Sequence, residues 1–183
     1  MKSTEPELIR EFSSGGAIFK KLKVNTPLKS GKSHELKVLW LVTKSAPSAL
    51  YPKSIWRLPK GWIDDEGEGP GPMARGMKKT SEEELQNAAL REAKEEAGVE
   101  ARIVTKIGTE TRFFTSNGQR VMKFVTSYLM EWLKDLPEGL GFETSKVAWL
   151  SYEIARKKLS YSSEKRTLDK ARQILEAGVP SES

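Results

Sequence analysis

Apolar residues recur along this chain at two periods, and the change from one to the other separates strands from helices. The glycine pair Gly15-Gly16 opens a short apolar run through Ala17-Ile18-Phe19, so residues 13–22 read as a first strand. Val38-Leu39-Trp40-Leu41-Val42 is apolar without interruption, the pattern of a strand covered on both faces. Ile55-Trp56-Arg57-Leu58 makes a short strand that Pro59 ends, and Lys60-Gly61 then turn the chain into a stretch of glycines and prolines. Beyond it the period lengthens. Leu85, Ala89, Ala93 and Ala97 recur every four residues and predict a helix over 81–97, with Gly98 just past its end, where left-handed geometry is common. Residues 101–114 and 121–133 read as two strands joined through Thr115-Ser116-Asn117-Gly118, because Asn-Gly is a strong hairpin signal. Glycine and proline at 137–141 mark a loop, and Val147-Ala148-Trp149-Leu150 a last short strand. Residues 151–159 and 162–177 read as two further helices, the second burying Leu168, Ala171, Ile174 and Leu175. The tail Pro180-Ser181-Glu182-Ser183 reads as frayed.

Composition narrows the class. The 183 residues fit one domain over 1–183, with no internal repeat. Charged residues at 31% and hydrophobic ones at 37% describe a water-soluble globular chain. No apolar run approaches the ~20 residues of a membrane span, and Met1-Lys2-Ser3-Thr4-Glu5 lacks the apolar core of a signal peptide. The absence of cysteine removes disulfides and thiolate metal sites and is compatible with a cytoplasmic location. His34, alone beside the polar connection 24–34, reads as a surface residue.

The candidate chemistry lies on the central helix. Glu92, Glu95 and Glu96 stand at i, i+3 and i+4, so three carboxylates share one face within about a turn. An E/K/A-rich run is also how a solvated helix face reads. Like charges so placed repel by about 0.2–0.5 kcal/mol per pair, and a hard divalent ion, Mg²⁺ or Mn²⁺, between them would turn that repulsion into a site. A formal charge of +6 beside this acidic helix suggests basic surfaces around an acidic centre, as a phosphate-bearing partner favours; solubility alone also explains the excess.

The wider pattern decides between the readings. Glu83, seven residues, Arg91-Glu92, then Glu95-Glu96, Gly98 and Val99 resembles the signature of the Nudix hydrolases, and Trp56-Arg57-Leu58-Pro59-Lys60-Gly61 resembles the segment that enters it. The likeness is sharpest over 56–99. Twenty-one residues between Gly61 and Glu83 exceed the family's spacing, so a loop at about 64–80 is inserted, with Gly67, Gly69, Pro70, Gly71, Pro72 and Gly76 and no buried apolar face of its own. Glu66 and Glu68 compete with Glu83 for the first acidic position. The distance to Arg91, and a capping box over Thr80-Ser81-Glu82-Glu83, favour Glu83.

The resemblance implies an α/β fold, an α/β/α sandwich around a mixed β-sheet. It also implies hydrolysis of a phosphoanhydride in a nucleoside diphosphate linked to another moiety. Carried over by position, Glu92, Glu95 and Glu96 are the metal carboxylates, the Lys60 carbonyl is a further ligand, and Arg91 pairs with Glu83. Lys60 and Arg57 are candidate phosphate contacts. Glu143, in the loop before the last strand, is the candidate general base or additional metal ligand, with Glu138 behind it. Arg75, Lys78 and Lys79 read as loop charges or phosphate contacts, Phe113 and Phe114 as core or a base-binding wall. The expected partner is a polyphosphate-containing small molecule, with no membrane and no nucleic acid other than an RNA 5′ end. Among the family's substrates the segment before the signature, the basic balance and Glu164-Lys165-Arg166 near Tyr161 look most like members acting on dinucleoside polyphosphates or diphosphoinositol polyphosphates. ADP-ribose, capped RNA, or a Nudix-fold binding module without catalysis are the alternatives.

Overall fold

The computed structural model describes residues 8–28, 31–48, 52–66 and 69–178; the readings of His34, Glu66, Glu68 and the 180–183 tail fall outside the residues or side chains described. Strand β1 spans Ile9–Leu28 and pairs antiparallel with β2, Gly31–Ser45. Both run past their apolar centres because the ladder continues through alternating residues such as Leu22 opposite Lys37 and Val24 opposite Glu35. Strand β3, Trp56–Arg57, lies against β2. Lys60-Gly61, expected as a turn, instead belong to β4, Lys60–Trp62, which pairs with β1 through Gly15–Lys60 and Ser13–Trp62.

The inserted stretch is more ordered than its glycines and prolines predict. Asp65–Glu66 (β5) and Gly69–Pro70 (β6) form a two-stranded ribbon. The Asp64 carboxylate then accepts the N–H groups of Met73 (3.1 Å) and Ala74 (2.7 Å), while its carbonyl accepts that of Gly71 (2.9 Å). Ala74 is fully buried and its carbonyl takes the Phe12 N–H at 2.7 Å. The expectation that this stretch offers no buried apolar face is therefore corrected: Asp64 supplies the hydrogen bonds that let it close onto β1.

Helix α1 covers Glu82–Ala97. Beyond it β7, Val99–Ser116, and β8, Gln119–Asp135, form a hairpin whose turn residues Asn117 and Gly118 both have positive φ, 50° and 74°. Strand β8 runs parallel to β1, and β9, Thr144–Leu150, antiparallel to β2, so the sheet is mixed. Helices α2, Tyr152–Lys158, and α3, Ser162–Ala177, end the described chain.

Side-chain alternation along the strands divides the core in two. Ile18, Leu41, Tyr128 and Met130 face Ala89, Ala93 and Ala97 of α1. Ala17, Phe19, Trp40, Val42 and Leu129 face Ala155 of α2 and Leu168 and Ala171 of α3. The result is the expected helix–sheet–helix sandwich. Among the described residues, no helix is long and apolar enough to cross a membrane.

Candidate functional site

Helix α1 is fixed at both ends. Ser81 is its N-cap and forms a capping box with Glu84: each backbone N–H reaches the other side chain, at 2.8 and 3.2 Å. The box expected over Thr80 and Glu83 is thus displaced by one residue. Glu82 accepts hydrogen bonds from the Tyr128 hydroxyl (2.6 Å) and Lys106 ammonium (2.8 Å), and these two, Lys106 foremost, hold its carboxyl below the usual range. Ser14 Oγ donates to the Leu85 carbonyl at 2.7 Å, clamping the first turn to β1. At the other end Gly98 adopts φ 63°, a left-handed cap that closes on Lys94.

The small alanines of α1 bring the helix close to the sheet, and the same rotation carries Glu92 and Glu96 inward, leaving them 6% and 3% exposed. Gly61 lies directly over the Glu92 carboxylate; a Cβ there would stand 2.2 Å from Glu92 Oε1. Glu96 Oε2 accepts the Lys60 N–H at 2.9 Å, and its other oxygen meets the Arg57 guanidinium. Burial pushes the Glu92 carboxyl up to about 8; the neighbouring Glu96 charge adds to this and Arg91 opposes it. Burial raises Glu96 as well, against the pull of Arg57 and Lys60, and Glu143 adds to the rise. Two carboxylates one turn apart are thus withdrawn from water together, and each makes the charged form of the other costlier to keep.

Glu95 differs from the pair. Its side chain is mostly in solvent and approaches Arg91 at 3.5 Å. Glu143 is exposed, but its backbone is fixed: its carbonyl accepts the Ala46 N–H at 2.8 Å, and the nearby Gly141 N–H donates to the Glu95 carbonyl at 2.8 Å. The loop at 137–143 is thereby tied to the C-terminal turn of α1, which brings the Glu143 charge to bear on Glu96. Glu138, in the same loop, is exposed.

The pairing of Arg91 with Glu83 is not formed. Arg91 reaches Asp65 (2.8 Å), Glu92 (3.0 Å) and the Trp62 carbonyl (2.6 Å). Glu83 is exposed and its side chain makes no hydrogen bond or ion pair with the described residues. The reason is geometric. Both residues belong to α1, where eight positions mean about 12 Å of rise and roughly 80° of rotation, beyond a direct contact. The insertion folds back and presents Asp65 in that place.

Of the two candidate phosphate contacts, Arg57 lies on Glu96, and Lys60 splits its groups between two places. Its N–H serves Glu96 while its ammonium meets Glu164 of α3. Arg75 bonds the Pro70 carbonyl at 2.7 Å and Lys78 approaches Glu84 at 3.8 Å, so both serve the insertion and the helix start. Phe113 and Phe114 are exposed, Phe113 by 68%, and do not belong to the core. Asp65, Arg112 and Lys123 are charged residues at or near this site that sequence reasoning passed over, and Glu164 entered it without a role of its own. The only signal for Glu164 was its place in Glu-Lys-Arg beside Tyr161.

A family profile described as NUDIX domain matches residues 30–171. A Mycobacterium tuberculosis protein provisionally named mutator protein MutT4 is 28% identical over 122 residues, 67% of this chain. The match spans 43% of that relative's length. The fold is similar to a Caenorhabditis elegans Ap4A hydrolase binary complex (TM-score 0.58, 21% identity, 92% of this chain and 99% of that one). It is also similar to the MutT protein of Methanosarcina mazei (TM-score 0.55, 15% identity, 92% and 97%). A third likeness is to the NUDIX domain of Shewanella oneidensis NrtR complexed with ADP ribose (TM-score 0.53, 14% identity, 91% and 88%).

Proposed function

The chain belongs to the Nudix family, and on that premise we propose that it is a divalent-metal-dependent pyrophosphohydrolase. Its substrate is a phosphoanhydride in a nucleoside diphosphate linked to another moiety, best a dinucleoside polyphosphate or a diphosphoinositol polyphosphate. The observation that carries this reading is the buried pair Glu92 and Glu96, one turn apart, where burial first and the Glu96 charge second push the Glu92 carboxyl up to about 8. Oxygen-only donors suit Mg²⁺ or Mn²⁺. Among the described residues no three acids are gathered into a ready cage, and Arg57 and Arg91 now meet part of the charge that a cation would take over. The donor chemistry fits, with Glu92, Glu95 and Glu96 as the carboxylates and the Lys60 carbonyl as a further ligand. Glu143, at the open side, is the additional ligand or the base.

A bound divalent ion supplies neutralisation of the phosphate oxygens and a lowered pKa for the attacking water. The protein supplies the rest. Arg91, held by Asp65 and the Trp62 carbonyl, sets the position of Glu92. Water adds to phosphorus as the anhydride P–O bond breaks, and its proton passes to Glu143, whose side chain stands in solvent at the edge of the acidic pair. Arg57, on Glu96, draws phosphate charge toward that edge, and the Lys60 ammonium draws it from the α3 side. The exposed Tyr161 ring beside Arg112 offers a surface on which a base could stack. This favours a nucleotide over an inositol phosphate, and the Ap4A hydrolase likeness points the same way.

The test is phosphate release from diadenosine tetraphosphate, ADP-ribose, a diphosphoinositol phosphate and capped RNA, with and without Mg²⁺. Turnover of diadenosine tetraphosphate that requires the metal and exceeds the others is expected. Tight binding of one substrate without turnover of any would make the chain a binding module instead.

A further inference from the structure

The Lys60 ammonium reaches a second charged cluster, on the α3 side of the sheet. There Glu164 Oε1 meets Lys60 and, at 3.5 Å, the Arg112 guanidinium. Arg112 lies over the Tyr161 ring, 4.7 Å from its centre. Lys123 stands opposite Arg112 in the β7–β8 ladder, paired to Glu11 at 3.6 Å, and burial lowers its pKa, with the Lys60 and Arg112 charges pressing the same way. Three cations thus converge where Glu164 is 4% exposed.

Two polar atoms here have no partner among the described residues. Glu164 Oε2 and Ser163 Oγ are both buried and unbonded, and both residues line one small cavity with Lys60, Arg112, Glu110 and Thr167. The cavity holds about 10 Å³, room for one water and not for a phosphate. Both residues also belong to the first turn of a sixteen-residue helix whose N-cap, Tyr161, gives no side-chain cap. The positive end of a helix, a serine hydroxyl, a lysine and an arginine together make an anion site by chemistry. Its present occupant is a carboxylate that uses one oxygen and leaves the other unsatisfied. A buried ion pair of that kind adds little stability of its own.

We propose that this is a phosphate-group seat in which Glu164 stands in for the phosphate, and that a phosphoryl group displaces the Glu164 carboxylate when it binds. A free or terminal phosphate brings three oxygens to Lys60, Arg112 and the Ser163 hydroxyl, and an internal phosphate of a dinucleoside polyphosphate brings two doubly accepting ones, where the carboxylate meets only the two cations. Glu164 leaves by a rotamer change at the helix start. Lys60 links the two places, its N–H on Glu96 and its ammonium in the seat, so the seat lies one lysine side chain from the acidic pair. The phosphoryl group comes either from a distal phosphate of the substrate, which rests on the hydrolase reading, or from a free phosphate, which does not.

Isothermal titration of inorganic tripolyphosphate into the full chain, with chelator present, tests the seat apart from any hydrolysis. Glu164→Gln removes the competing charge and keeps the shape; it is expected to tighten binding about tenfold. Arg112→Gln added to it should abolish the gain. Glu176→Gln makes the same charge change at the far end of α3 and should move binding by no more than about twofold, as a distant exposed charge does. Unchanged or weaker binding by Glu164→Gln with normal melting, or an equal gain in Glu176→Gln, overturns the proposal. If Glu164→Gln fails to fold, Glu164→Asp, which withdraws the carboxylate from the cations, must show a gain over wild type or the proposal falls. The source is read from KM across dinucleoside tri-, tetra- and pentaphosphates. A larger drop in Glu164→Gln for the longer chains assigns the seat to substrate; an equal drop for all three overturns that assignment in favour of free phosphate.

Discussion

Replacing Asp65 by Asn, with Glu83→Gln as its companion, separates what the folded chain holds from what motif spacing suggests. Asp65 Oδ2 stands 2.8 Å from Arg91 Nη1, and Arg91 in turn stands 3.0 Å from Glu92 Oε1. The Asp65 side chain is 45% exposed, so solvent screens the pair and its share of stability is about 0.5–1 kcal/mol. For a chain of this size that lowers the melting temperature by roughly 1–4 °C. The kinetic effect should be larger than the thermal one. Arg91 then keeps only the Trp62 carbonyl and the glutamates of its own helix, and Glu92 loses a fixed neighbour. A lost charge-assisted contact of about 1.4 kcal/mol in the transition state is tenfold in rate. Asp65→Asn is expected to reduce kcat for diadenosine tetraphosphate about tenfold and to raise the Mg²⁺ concentration needed for half activity. Glu83→Gln, an exposed change, should stay within about 0.5 kcal/mol of wild type in both measurements. Should Glu83→Gln prove the slower enzyme while Asp65→Asn behaves as wild type, the assignment of Arg91 to the insertion is wrong.

Glu95→Gln and Glu96→Gln should each lower kcat by more than the roughly 10–100-fold that an outer metal partner costs, and full activity in either folded variant would remove it from the metal set. Gly61→Ala puts a Cβ 2.2 Å from Glu92 Oε1, so Glu92 must shift; about 1–3 kcal/mol of overpacking and weakened Mn²⁺ binding by titration are expected, and unchanged binding would place the ion elsewhere. Glu143→Gln should depress kcat about 10²–10⁴-fold with the Mg²⁺ requirement unchanged if it is the base, whereas a shift of that requirement makes it a ligand and wild-type kinetics exclude both roles. Glu82 has its folded pKa held below 4.5 by Lys106 and Tyr128. Its contribution is therefore present above pH 4.5 and lost as pH falls through the folded value; acid melts of Glu82→Gln should lack that part of the pH dependence, and identical acid profiles would refute it.

The elements that carried strong periodicity were legible from sequence. The four-residue alanine stripe of α1, the Asn117-Gly118 turn and the uninterrupted Val38–Val42 run each state their local structure, and the three-layer fold follows once helices must cover both faces of the same strands. Glu92 and Glu96 were legible for the same reason, since helical phase fixes which side chains share a face. What failed were contacts made between segments far apart. The spacing that favoured Glu83 assumes a short loop before the helix, and the insertion removes that assumption by delivering Asp65 to Arg91. The capping box slipped by one because Ser81 and Glu84 satisfy the same pattern as Thr80 and Glu83. The Asp64 hydrogen bonds that order the insertion join residues seven to ten positions apart, a range at which no periodicity speaks.

Charge placement explains why an acidic centre sits in a chain of net charge +6. The acids of α1 occupy one side of the sheet and Lys60, Arg112, Lys123, Arg166 and Lys170 the other, the last two gathered on Glu110. A polyanion approaching the acidic pair alone would be repelled. One approaching from the α3 side meets several cations within about a Debye length of one another, so their fields add. Lys60 links the two regions across the sheet, because a single residue contributes its backbone N–H to Glu96 and its ammonium to Glu164. A polyanion that gains the ammonium is therefore held one lysine side chain from the carboxylates, and its approach no longer depends on overcoming their charge unaided.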